Sequence, residues 1–324
     1  MKMKKMFLMA LSCAMAMAAF SSCAVGNRKP VSSVPVQQNP TTQTPSTPQI
    51  STPDPDPTPN PNPTNPEVEM VVEFGGETYT LNYQLYRKVA PTTVNHFIWL
   101  AENGYYDGVC IHNYDADNLK MYTGAYTLAE DENDEDGLAY KDYYDFVKNS
   151  SDYGNFPHSV WHDEEKTMPL YSLYGEFESN YFLVGGDGAL KESFGTLTMY
   201  YNTKTTSERV YGKRVDDEDG EVSKREYKYN STTSMFYISM VTTETATSDY
   251  CTFAKLDEDS VSVLEDLQAA INAYVGEEED DEFTSAHTVR VDEDDMIVGE
   301  TVKEVKFDVP NSPIVIKSVK VTKY

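Results

Sequence analysis

Cysteine is scarce in this chain: four in 324 residues, with only Cys110 and Cys251 beyond position 23. Neither lies in a CxxC pair, which excludes zinc ribbons and dithiol redox motifs. Both sit in apolar strand-like runs, so two buried thiols are expected, with one bridge in an oxidising compartment as the other option. Positive charge is the second shortage. Against 53 Asp and Glu there are 26 Lys and Arg, a formal net charge of -27. Such a field repels phosphates instead of releasing their counterions, which argues against a nucleic-acid partner and keeps the domain soluble. Long apolar runs are also missing. The stretch from Met6 to Phe20 is shorter than the ~20 residues a spanning helix needs.

That stretch follows Lys2, Lys4 and Lys5 and ends at Ser21-Ser22-Cys23. A basic start, an apolar middle and small residues read as a secretory signal over residues 1–22. A small residue before a cysteine at such a place resembles a bacterial lipobox. The resemblance implies lipidation of Cys23 and an exported, membrane-anchored protein facing the periplasm or exterior. Phe20 stands where the pattern prefers Leu, and plain secretion is the rival. Cys13 is lost with the signal in either case. Residues 23–66 include "PSTPQISTPDPDPTPNPNPTNP", with almost nothing to bury. This tract stays extended as a stalk, or serves a partner domain as a polyproline ligand.

Residues 67–324 are long enough for one large domain with its own core. "VEMVVEFGGETYTLNYQLY" reads as two strands around Gly75-Gly76, with Tyr79, Leu81, Tyr83 and Leu85 alternating on one face. In "APTTVNHFIWLAENG", Pro91 suits a first helical turn, Val94, Phe97, Ile98 and Ala101 recur at helical spacing, and Gly104 marks the stop. A second amphipathic helix is marked by Val261, Leu264, Leu267, Ala270, Ile271 and Tyr274. "VCIHNY", "LKMYTGAY", "GTLTMYY", "SMFYISMV", "YCTFAKL" and "SPIVIKSVKV" read as short strands. The expectation is a mainly β fold: a closed antiparallel β-barrel capped by two α-helices. Charged segments at about 130–166, 204–229 and 276–308 are expected as surface insertions.

The order of the motifs resembles the cyclophilin family of peptidyl-prolyl cis-trans isomerases. "APTTVNHF" and "GYYDGVCIH" look like the family's A-P-x-T-V-x-N-F and G-x-Y-D-G-x-x-F-H-R. "YGEFESN" resembles G-E-F-x-x-N, "GTLTMYYN" resembles G-x-(I/L)-S-M-A-x-(A/S), and "NSTTSMFYI" resembles N-S-(A/G)-x-S-Q-F-F-I. "CTFAKL" and "SPIVIKSVKV" look like the closing strands. What the resemblance implies is an isomerase of proline-containing polypeptides that uses no cofactor.

Rotation about an X-Pro bond faces a barrier of roughly 18 to 20 kcal/mol, because the twisted state loses amide resonance. A cationic donor aimed at the prolyl nitrogen, beside an apolar cup for the ring, favours that twisted state. The resemblance places the family's donor Arg at Asn113 and its backbone-anchoring Gln at Tyr122. It also implies a cup and groove from His112, Leu119, Met199, Tyr200, Tyr201, Met235, Phe236, Tyr237 and Tyr250, with Lys120 standing for a Met. A neutral amide in place of a guanidinium removes roughly 1 to 3 kcal/mol of transition-state stabilisation, about 10- to 100-fold in rate. Arg209 and Arg214, in an insertion bordering the cup, are candidate surrogate donors.

His112 itself, at the end of an apolar strand, is expected as a packed residue. His158 and His162 would suit a metal only on a helix. The acidic runs "ENDEDG" and "DDEDG" lack the calcium-loop register and read as surface loops. Two functions follow: an isomerase assisting exported proteins, weakened at Asn113, or a non-catalytic module that holds proline-containing or extended segments. The lipobox reading makes its own prediction. Labelling with a fatty-acid analogue marks the wild type, Cys23→Ser releases the protein from membranes, and labelling that survives the substitution refutes the anchor.

Overall fold

The structure, a computed structural model, describes residues 65–130, 137–177, 190–202, 209–213, 222–226, 230–247, 249–274, 276, 282–292 and 302–324. The expected signal segment, Cys23 and almost all of the expected stalk lie outside the described residues, as does nearly all of both acidic runs.

β1 (Glu67–Phe74) and β2 (Glu77–Leu85) form the expected hairpin. Gly75 and Gly76 turn it with φ of 60° and 81°, a region that side chains resist. Along β1 every second residue, from Val68 to Phe74, is buried. α1 (Pro91–Glu102) then begins with Pro at its first turn, but Ala90 offers no capping side chain. Glu176 supplies the cap from far along the chain. Its carboxylate accepts the Thr92 N–H at 3.1 Å and the Thr93 N–H at 2.8 Å, satisfying orphan donors at the positive end of the helix. Burial pushes the Glu176 pKa up while the bonds from Thr93 and Thr92 pull it down, and burial prevails.

After α1 come β3 (Asn113–Asp115), β4 (Lys120–Thr123), β5 (Tyr126–Leu128), β6 (Leu138–Tyr140), α2 (Tyr143–Asn149), β7 (Val160–Trp161), β8 (Pro169–Leu170) and β9 (Leu173–Tyr174). The second half comprises β10 (Leu197–Asn202), β11 (Arg209–Lys213), β12 (Val222–Glu226), β13 (Asn230–Ser239), β14 (Thr252–Leu256), α3 (Glu258–Asn272), β15 (Thr284–Asp292), β16 (Val302–Pro310) and β17 (Val315–Lys323). The main sheet runs β17-β1-β2-β14-β10-β13-β4-β3, with β9 added to β13. Its core side holds an aromatic cluster in which Phe97 meets Tyr106 at 4.9 Å, Phe253 at 5.1 Å and Phe236 at 5.6 Å between ring centroids. Cys110 and Cys251 are both buried free thiols.

The mainly β class matches expectation, and three features correct it. First, the described residues hold three helices, not two. α2 lies within the segment at 130–166, where the Asp142 side chain accepts the Asp145 N–H at 2.9 Å and starts the helix. Second, that segment is not only charged surface: Tyr143, Tyr144, Val147 and Phe156 join the main core. Its acidic residues hid an apolar face too short for a clear periodic signal. Third, the ladders of named strands form an open path and not a closed barrel. The run from Val109 to Ile111 would complete the circle, but it divides its hydrogen bonds. Ile316 N–H donates to Val109 O and Ile111 N–H to Ile314 O, while Cys110 N–H turns to Tyr126 O. An isolated bridge, Cys110 to Val315, results in place of a strand pair.

Just past the end of β4, beside its partner β13, Gly124 has φ 96°, and a Cβ there would fall 2.4 Å from the Ser234 carbonyl oxygen. Ser234 Oγ donates back to Gly124 O at 2.7 Å. Gly124→Ala is therefore expected to destabilise the protein by about 3 kcal/mol or more, combining a disfavoured φ with a backbone clash. Denaturant unfolding checks it, and a loss below about 1 kcal/mol contradicts the close approach.

Candidate functional site

Alternation along the strands turns Met121, Leu197, Met199, Phe236 and Ile238 into the core. The residues between them form a row on the outer face: Asn113 pairs with Tyr122, Tyr122 with Tyr237, and Tyr237 with Thr198. Thr198 Oγ1 then lies 2.9 Å from Thr252 Oγ1 on β14. Around this row the rings gather. Tyr122 stands 5.3 Å from Tyr237 and edge-on to Tyr200 at 5.6 Å, and Tyr250 is edge-on to Tyr237 at 6.0 Å.

Two charged side chains complete the cluster. Lys120 Nζ lies 4.4 Å from the Tyr237 ring centroid and 5.0 Å from that of Tyr250. Buried Glu192 accepts the Tyr237 hydroxyl at 3.3 Å and the Ser239 hydroxyl at 2.9 Å. Burial, followed by the nearby Glu192 charge, raises the Tyr237 phenol above its ordinary range. Burial, followed by Asp115, does the same to Tyr122. Both are therefore neutral hydroxyls at physiological pH. Lys120 is two residues before Tyr122, so strand alternation signals its face. Nothing local signals Glu192, which arrives from a loop.

Asn113 is engaged elsewhere. Its Oδ1 accepts the Asp308 N–H at 2.8 Å, so this side chain clamps the β15–β16 hairpin to the edge of the sheet. The remaining expected residues divide. Tyr200 is at the cluster's rim, 36% exposed. Met199 and Phe236 belong to the core beneath it. Met235 packs with a smaller cluster around Cys110, Tyr126 and Phe307. Leu119, 42% exposed with φ 55°, sits on the turn before β4. Of Tyr201 and Arg209 only the backbone is described, in pairs with Ser231 and Glu226. Arg214 lies outside the described residues.

His112 is buried, with its ring 4.9 Å from Tyr126 and 5.0 Å from Phe307. It packs behind Asn113 and does not face the row. His158 Nδ1 lies 3.4 Å from Leu170 O, and its ring meets Phe156 at 4.8 Å. Another concavity, of about 240 Å³, opens between Leu138 and Val309, with Cys110 and His287 in its lining. Burial pushes the Cys110 thiol up to about 12, so it is no nucleophile there.

A family model described as cyclophilin type peptidyl-prolyl cis-trans isomerase/CLD matches residues 70–293. Among solved structures, a cyclophilin type peptidyl-prolyl cis-trans isomerase of Cryptosporidium parvum is 14% identical, covering 80% of this chain and 99% of that one at a TM-score of 0.40. The same enzyme in the presence of the dipeptide Ala-Pro is 13% identical over the same shares, at 0.37. The Mimivirus cyclophilin is 14% identical, covering 82% of this chain and 93% of that one, also at 0.37. No curated protein matches the sequence.

The buried histidines generate a pH prediction. Burial lowers the pKa of His112 to about 3 and that of His96 to about 4. In the unfolded chain both take a proton near ~6.5. Between these values the unfolded state binds more protons, so stability falls as pH drops below about 6.5, until the folded values are reached. His112→Phe keeps a ring between Tyr126 and Phe307 and removes an Nδ1 that has no hydrogen-bond partner among the described residues. Urea unfolding between pH 7 and 5 should show a shallower loss for this variant than for the wild type. Parallel profiles would mean that His112 is not held neutral.

Proposed function

Because the chain belongs to the cyclophilin-type peptidyl-prolyl cis-trans isomerase family, we propose that it binds proline-containing polypeptides on the outer face of its main sheet and isomerises them slowly. The observation that carries this reading is the row from Asn113 through Tyr122 and Tyr237 to Thr198, with Tyr200 and Tyr250 beside it. Ring faces support a prolyl ring, and the neutral phenols and the Asn113 amide hydrogen-bond the flanking backbone.

The row explains the slow rate as well. Among the described side chains no guanidinium stands at the cluster, and Asn113 turns its amide oxygen to the β15–β16 hairpin. Without a cation directed at the prolyl nitrogen, the transition state loses its strongest stabilisation. The bridge of Cys110 to Val315 supports reading the fold as the family's barrel. The signal, the lipobox-like Cys23 and the Pro-rich stalk support a place at the cell surface, facing the periplasm or exterior, where clients are exported proteins still folding. The Asn113 clamp also favours a second reading, in which the site holds proline-containing or extended segments without turning them over.

Measuring isomerisation of an X-Pro peptide by exchange spectroscopy separates the two. Wild type should be about 10- to 100-fold slower than an enzyme with the family's Arg, and Asn113→Arg should raise its rate. A wild-type rate equal to that of an ordinary family member removes the proposed weakness. Binding with no turnover in either protein establishes the holding reading.

A further inference from the structure

Tyr237 projects from the outer face of the sheet, yet it is fully buried. Against its ring stand Tyr122, Tyr250 and the ammonium of Lys120, which lies over the ring faces of both Tyr237 and Tyr250. The cation occupies the space a stacked ligand ring would need. The described charged groups around it do not pin it there. Asp115, its partner across β3 and β4, is turned into its own loop, where its two oxygens take the backbone N–H and side-chain amide of Asn118 at 2.9 and 2.8 Å. Glu192 is engaged with the hydroxyls of Tyr237 and Ser239. Among the described residues no carboxylate lies within ion-pair distance of Lys120 Nζ. Attraction of an ammonium to aromatic faces is weak where water reaches it.

We propose that Lys120 makes this site selective for proline-containing segments with a carboxylate next to the proline, an inference that rests on the prolyl-peptide reading above. Such a carboxylate draws the ammonium off the rings into an ion pair and uncovers their faces in the same movement. A neutral segment has to displace the ammonium with nothing in exchange. A basic one meets it as a like charge, a repulsive element of the kind specificity requires. The net charge of -27 opposes an acidic ligand from afar. Screening over about 8 Å at physiological salt leaves the local pair to decide.

The test uses the full mature chain and labelled peptides that differ only in bearing Asp, Ala or Lys beside a single proline, with affinity read by fluorescence anisotropy. The Asp peptide should bind about 5- to 10-fold tighter than the Ala peptide, the gain of a partly desolvated ion pair, and the Lys peptide least. Lys120→Met, of similar reach without charge, should bring all three within about 2-fold and bind the Ala peptide better than wild type does. Lys120→Arg should keep the order. Equal binding of the three by wild type, or an Asp preference that persists in Lys120→Met, overturns the role of Lys120 and leaves the prolyl reading intact. Failure of every peptide to bind any of these proteins overturns both.

Discussion

The close approach of Gly124 to the Ser234 carbonyl is the constraint on which the site depends. Only a residue without a side chain can bring β4 so near β13 at this point, and the Ser234 hydroxyl holds the two backbones together from the other side. Thr123 Oγ1 continues the bracing by donating to Cys110 O at 2.8 Å. With that close approach set, the register of β4 on β13 follows, and with it the pairing of Tyr122 with Tyr237. A slip of β4 by one residue would send Tyr122 to the core and turn Met121 to water. The aromatic row is therefore a consequence of backbone packing.

Two buried carboxylates extend the same framework. Glu176 reaches the N-terminus of α1 and joins a distant loop to the helix that covers the core. Glu192 fastens the hydroxyls of Tyr237 and Ser239. Each is buried, a costly placement that hydrogen bonds have to offset, and each ties an irregular segment to a regular element. The β15–β16 hairpin is attached by a different combination. Phe307 packs on His112, Phe283 packs edge-on to Phe74 and Tyr114, and the Asp308 N–H is received by Asn113. Asn113 thus serves as a structural clamp, while Lys120 brings a cation to the neighbouring ring cluster.

Much of this was legible beforehand. Alternating apolar residues located β1, β2 and β17, helical spacing located α1 and α3, and Pro91 with Gly104 bounded α1 to within two residues. The motif order placed Asn113, Tyr122, Tyr237 and Tyr250 together, and the structure sets the rings of Tyr122 and Tyr250 against Tyr237. α2 escaped notice because seven residues span only two turns, too few for a periodic signal among so many acidic neighbours. Leu119 was expected in the cup, but a left-handed backbone at the turn leads it toward solvent.

What the sequence by itself determined is what depends on neighbours a few residues apart: the strands, two of the helices, the scarcity of basic charge, and the family, through motifs that each occupy a short run. Tertiary structure decided whatever depended on atoms far apart in the chain. Glu176 as the cap of α1, Glu192 on the Tyr237 hydroxyl, Asp308 on Asn113 and the division of the Val109 to Ile111 hydrogen bonds all join partners that no local pattern links. The physical reason is that burial and hydrogen-bond satisfaction are properties of the assembled core, where a polar group takes whichever partner the packing brings within about 3 Å.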